Sequence, residues 1–168
     1  MRILGVDPGL VTTGYGVVDF LGADPCLVEA GVVRSDPSQP LEQRLLALYD
    51  GISEVIREFS PTAMALEEVY SRYEYPHTAI LMGHARGVLC LAAAQHGIPI
   101  HSYSASHVKS AITGSGTASK QQVQRTIQAR LDLSRIPRPN DVADALAVAI
   151  CHGSVVLSSR ATVREAAQ

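Results

Sequence analysis

Ile3-Leu4-Gly5-Val6-Asp7-Pro8-Gly9 reads as a buried strand that ends on a lone carboxylate, and the fold class follows from it. The apolar run is too short to span a bilayer and too rich in Gly and β-branched residues for a helix. Pro8-Gly9 forces a turn, so Asp7 sits at the C-terminal lip of a central strand, the edge where open α/β sheets place their ligands. An Asp that only caps the turn would look the same here. The other carboxylates that reach this lip decide between the two.

Thr12 to Phe20 and Cys26 to Arg34 alternate and are rich in Val, so they read as two strands in hairpin order after the first. Gly14 and Gly16 let something approach the backbone closely, or mark a bulge. After the breakers Asp36-Pro37-Ser38-Gln39-Pro40, leucines and isoleucines from Leu41 to Phe59 recur at helical spacing, with Pro40 suited to the first helical position. Thr62 to Leu66 is a second short apolar run, ending on Glu67-Glu68. A strand reached through a crossover helix pairs in parallel, which brings its acidic end beside Asp7. Only one of Glu67 and Glu68 can aim at the site, because successive strand residues point to opposite faces, and periodicity does not choose between them.

A helix from about His77 to His96 is apolar nearly all round, and Gly83 and Gly87 share one of its faces. Two helical glycines cost roughly 1 kcal/mol each against Ala, so close packing by another helix, in this chain or a second copy, is expected there. Ile98 to Tyr103 is a fifth strand, and Ser104 or Ser106 caps a short helix that contains His107 and Lys109. Ser119-Lys120-Gln121-Gln122 has capping-box spacing and opens the next helix behind a Gly-Ser loop. Asn140 is a good N-cap for a last, strongly apolar helix that carries Asp141 and Asp144 three apart in its first turns. A helix this apolar is buried, and two acids at its entry are then directed at the protein body, which is costly unless cations are present.

The net charge of −2 hides an asymmetry. Residues 1 to 68 carry eleven Asp/Glu against four Lys/Arg, whereas residues 69 to 140 carry two against eight. A cationic face beside an acidic cluster suits a polyanionic partner. Tyr70, Arg72, Tyr73 and Tyr75 interleave aromatics with a cation directly after the acidic pair, a pattern that suits stacking on unpaired bases or packing of the loop onto the core. The three cysteines lack metal-type spacing and read as reduced thiols. Neither a leader-like start nor a membrane span is evident, so a cytoplasmic protein with no membrane partner is expected.

Asp7, Glu67 or Glu68, Asp141 and Asp144 can thus gather at one lip. All-oxygen ligands favour Mg²⁺ or Mn²⁺, and two such ions about 4 Å apart support in-line hydrolysis of a phosphodiester. At this point Ile3 to Gly9, Leu66-Glu67-Glu68-Val69-Tyr70, Gly83-His84-Ala85-Arg86-Gly87, the stretch from His107 to Lys120, and Asp141-Val142-Ala143-Asp144-Ala145-Leu146-Ala147 with Cys151-His152 together resemble the RuvC family of crossover junction endodeoxyribonucleases. The resemblance implies an α/β, ribonuclease H-like fold with a five-stranded mixed sheet and helices on both faces. It covers residues 1–152, a nuclease domain, while the C-terminal tail over 153–168 matches nothing in the family and is expected to be disordered. It further implies a homodimer that makes paired nicks in strands of like polarity at four-way (Holliday) DNA junctions during recombination and repair, with RuvA and RuvB as branch-migration partners. It selects Glu67 as the metal ligand beside Asp7, Asp141 and Asp144, matches Lys109 and Lys120 to basic residues near the scissile phosphate, and makes Tyr70 the aromatic that contacts bases. Tyr70 stands where the best-known members carry Phe. Rival readings are a non-catalytic junction-binding module and an ATP-binding protein of the actin/Hsp70-like fold. An acidic cluster weakens the first, and the second lacks its usual Gly-rich phosphate loops.

Overall fold

A computed structural model describes residues 1–68 and 76–166 of the chain. Five strands, β1 (Arg2–Asp7), β2 (Thr12–Leu21), β3 (Asp24–Arg34), β4 (Ala63–Glu67) and β5 (Ile100–Tyr103), form one sheet in the order β3-β2-β1-β4-β5. The first three pair antiparallel and the last two run parallel to β1. This is the five-stranded mixed sheet of a ribonuclease H-like fold. Pro25 falls inside β3 rather than in the preceding turn, where it is tolerated because β3 is an edge strand.

Helices cover both faces. α1 (Leu41–Phe59) and α2 (Pro76–Gln95) lie on one side, and α3 (Ala105–Thr113), α4 (Lys120–Arg130) and α5 (Asn140–Ala166) on the other. The alternation along β1 feeds both layers. Ile3 packs into the core beneath α5, whereas Leu4 and Val6 pack beneath α1 and α2. β4 behaves alike, with Ala65 on the α5 side and Met64 and Leu66 on the other. Asp7 and Glu67 inherit the parity of Ile3 and Ala65 and face α5.

Glycines let α5 come this close. A Cβ at Gly5 would overlap the Ala145 carbonyl oxygen, and one at Gly14 would overlap that of Asp141. The first turns of α5 therefore rest directly on the backbones of β1 and β2. The window Asn140–Ser159 has the length and mean hydropathy, 1.6, of a membrane span, but 61% of it is buried, as befits a core helix on a sheet.

Two details depart from the sequence reading. Asn140 is the first residue of α5 rather than its cap, and its side-chain oxygen accepts a hydrogen bond from Gln124 Nε2 at 3.0 Å. The tail expected to be disordered after Gly153 is helical as far as Ala166. No Pro follows Gly153, and extending an existing helix costs far less than nucleating one. The Ser154 and Ser158 hydroxyls also donate to carbonyls four residues back, at 2.9 Å each.

Candidate active site

Asp7 is the last residue of β1 and Glu67 the last of β4, and the parallel register pairs Val6 with Leu66. The two carboxylates therefore leave adjacent strands side by side on the α5 face. Glu67 is partly buried and Glu68 is exposed. Asp144, little more than one turn into α5, comes down from above. Lys120 opens α4 behind a capping box in which the Ser119 and Gln122 side chains satisfy each other's backbone N–H groups. Lys109 projects from α3, whose first turn is capped by Ser104. Asp7, Glu67, Asp144, Lys109 and Lys120 line one cleft of about 390 Å³. Asp141 stands at its edge, close enough to act on the Asp7 carboxyl but outside the lining.

The charges are strongly coupled. Burial, with the negative charges of Glu67, Asp144 and Asp141, pushes the Asp7 carboxyl up to about 7, and Lys120 opposes the shift. Glu67 is raised by burial and by Asp144, against Lys120 and Lys109. The Lys120 ammonium donates to Asp144 at 2.6 Å, and this hydrogen bond raises its own pKa. Among the described residues no three His, Cys, Asp or Glu side chains are close enough to cage one ion as they stand. Lys120 occupies one Asp144 oxygen. The donor set is nevertheless entirely carboxylate. Burial and the neighbouring negative charges together hold Asp7 up to about 7, and that cost is what hard divalent cations relieve, so these residues fit Mg²⁺ or Mn²⁺.

Arg86 of α2 was not singled out for a role by sequence reasoning. Its guanidinium donates to the Glu67 backbone carbonyl at 2.8 Å and to Ser102 Oγ at 2.7 Å, pinning the ends of β4 and β5 together. Only its place as a cation within an apolar helix hinted at this. Tyr70, Arg72, Tyr73 and Tyr75 lie outside the described residues.

With this geometry in place, the chain can be set beside known proteins. Residues 3–152 match the family model of the crossover junction endodeoxyribonuclease RuvC. A crossover junction endodeoxyribonuclease RuvC from Rhodopirellula baltica is 50% identical over 149 residues, covering 89% of this chain and 84% of the relative. The Thermus thermophilus RuvC structure superposes with a TM-score of 0.87 at 34% identity, covering 95% of this chain and 97% of that one. T. thermophilus RuvC in complex with a Holliday junction substrate superposes at 0.88, also at 34% identity, covering 95% and 96%.

Proposed function

The chain belongs to the RuvC family of crossover junction endodeoxyribonucleases, and from that premise we propose that Asp7, Glu67, Asp141 and Asp144 are its metal ligands and that Lys109 and Lys120 contact the scissile phosphate. The protein is an endodeoxyribonuclease that resolves four-way DNA junctions, and its hydrolysis depends on divalent cations. The observation that carries the site assignment is the shared cleft of Asp7, Glu67 and Asp144, with two lysines in the same wall.

Two Mg²⁺ or Mn²⁺ ions held there would lower the pKa of a water, clamp the phosphate and stabilise the leaving oxygen. The chain's own residues do the rest. Asp7 and Glu67 are fixed on the rigid ends of paired strands, and Asp144 and Asp141 on a helix seated on glycines. Lys120 and Lys109 bring positive charge to a cleft that would otherwise repel DNA. Both rival readings give way to family membership, and a binding module has no use for a cluster that repels its ligand.

The same proposal includes Tyr70, Arg72, Tyr73 and Tyr75 as base and backbone contacts beside the cleft, since they directly follow Glu67-Glu68 in the chain. It assigns the nuclease unit to residues 1–152, a cytoplasmic location, RuvA and RuvB as partners, and a homodimer that delivers paired nicks. The dimer has support in α2. A Cβ at Gly83 or Gly87 meets nothing within 4 Å, and Ile80 and Leu91 on that side are 59% and 52% exposed. Such an apolar stripe with two gaps suits a second copy.

Incubation with a synthetic four-way junction and with plain duplex, each with and without Mn²⁺, tests the reading. Cleavage of the junction alone, and only with the metal, is expected. Equal cutting of duplex, or cutting in EDTA, would count against it.

A further inference from the structure

α5 carries Asp141 and Asp144, yet almost everything that holds it on the sheet is apolar contact through Val142, Leu146, Ala149 and Ile150. Apolar contact has no preferred direction and does not by itself fix how far a helix slides or turns. One polar contact does. Tyr103 Oη lies 2.7 Å from His152 Nδ1, and among the described residues this is the sole side-chain hydrogen bond from α5 to the sheet. His152 is 3% exposed. The His101 ring stacks on it with centroids 4.2 Å apart and planes 24° from parallel, and His107 meets Tyr103 edge-on at 5.4 Å. Burial, helped by His101, lowers the His152 pKa to about 4, so the imidazole is neutral at working pH and the bond joins two neutral groups.

Both ends of this bond lead to the cleft. In the β4–β5 register Tyr103 is the partner of Glu67, and the next backbone N–H, that of Glu68, donates to the Tyr103 carbonyl at 2.9 Å. His152 lies eight residues, just over two turns, beyond Asp144 on the same helix. We propose that Tyr103 and His152 are a positioning pair that sets the separation between Glu67 on β4 and Asp144 on α5, and with it the affinity of the cleft for divalent cations. The inference rests on the metal-ligand assignment above. Neither residue touches the reacting atoms. The close seat on Gly5 and Gly14 and the Lys120–Asp144 pair hold the entry of α5, and this buried, directional bond fixes the helix against the sheet two turns further on.

Tyr103→Phe removes one hydroxyl and leaves the rings in place. Mn²⁺ titration followed by thermal shift, without DNA, reads metal binding independently of cleavage. The midpoint is expected to rise three- to tenfold, the effect of losing one buried hydrogen bond. The Mn²⁺ dependence of junction cleavage should move with it, while junction affinity in EDTA stays within twofold. His152→Asn keeps a polar atom near the Nδ1 position and should stay within twofold of the native midpoint, whereas His152→Leu should follow Tyr103→Phe. A Tyr103→Phe midpoint within twofold of native, or an equal loss of junction affinity in EDTA, would overturn the inference while leaving the ligands assigned. A native protein that shows no Mn²⁺ shift, indistinguishable from Asp144→Asn, would overturn the ligand assignment and the inference with it.

Discussion

The Lys120 ammonium lies 2.6 Å from an Asp144 carboxylate oxygen, so a residue matched to the scissile phosphate also neutralises the acidic cluster beside it. On the proposed function this one cation has two services, charge balance within the cleft and attraction of DNA.

Lys120→Ala should therefore harm catalysis more than binding. Cleavage of a four-way junction is expected to fall roughly 10²-fold, the scale of losing one electrostatic contact to a transition state. Junction affinity should fall only a few-fold, and the salt dependence of binding should flatten by about one counterion. Single-turnover cleavage and a salt titration of binding measure the two separately.

Asp7→Asn removes the carboxylate at the centre of the cluster. Metal-dependent cleavage should drop by about 10³-fold or more, the scale that several kcal/mol of lost metal stabilisation implies. Junction binding should be retained, because one negative charge fewer faces the phosphates. A gel-shift assay beside a cleavage assay checks both.

The metal-free protein carries two titrations of opposite sign. His152 is depressed to about 4 from an unfolded value near 6.5, so its contribution to stability is present above about 6.5 and is lost as the pH falls towards 4. Asp7 is raised to about 7, so its contribution is present at low pH and is lost as the pH rises through about 7. Measured in EDTA from pH 4 to 8, the Tm of Asp7→Asn relative to native should climb with pH. That of His152→Asn should be most favourable in acid and decline to pH 6.5.

The seat of α5 is tested by contrast between glycines. Gly5→Ala places a methyl against the Ala145 carbonyl oxygen. It should cost about 3 kcal/mol or more, a Tm loss of roughly 6–12 °C. Gly83→Ala, on the open side of α2, meets nothing within its own chain, so it should cost the monomer fold nothing and add up to about 1 kcal/mol of helix propensity, any loss appearing in dimerisation instead. On the same side, Leu91→Glu, at a residue 52% exposed, should shift sedimentation from dimer to monomer while leaving the fold of the chain intact by circular dichroism.

Much of this architecture is legible in the chain because its signals are local. Alternation marks β2 and β3, leucines at helical spacing mark α1, and Ser119 with Gln122 marks the start of α4. That Asp7 and Glu67 end at the same lip follows from the parallel-crossover rule, whereas the place of β4 beside β1 rather than β3 does not. Nor does the choice between Glu67 and Glu68, because the face a residue takes is set by which side of the sheet α5 covers. Arg86 and the Tyr103–His152 bond were illegible for a related reason. Each joins elements far apart in sequence, 49 residues apart for the second, and no periodicity reports a single long-range hydrogen bond. The helix beyond Gly153 was missed because weak amphipathicity resembles a tail when the preceding helix is not seen to carry it onward.

Asp7, Glu67 and Asp144 are proposed to hold divalent cations between them, and anomalous diffraction from crystals soaked in Mn²⁺ locates any bound ion. Manganese peaks about 2.1 Å from oxygens of all three residues, with Lys120 displaced from Asp144, are predicted. Peaks elsewhere, with the Lys120–Asp144 pair intact and the cleft empty of metal at saturating Mn²⁺, would contradict that assignment.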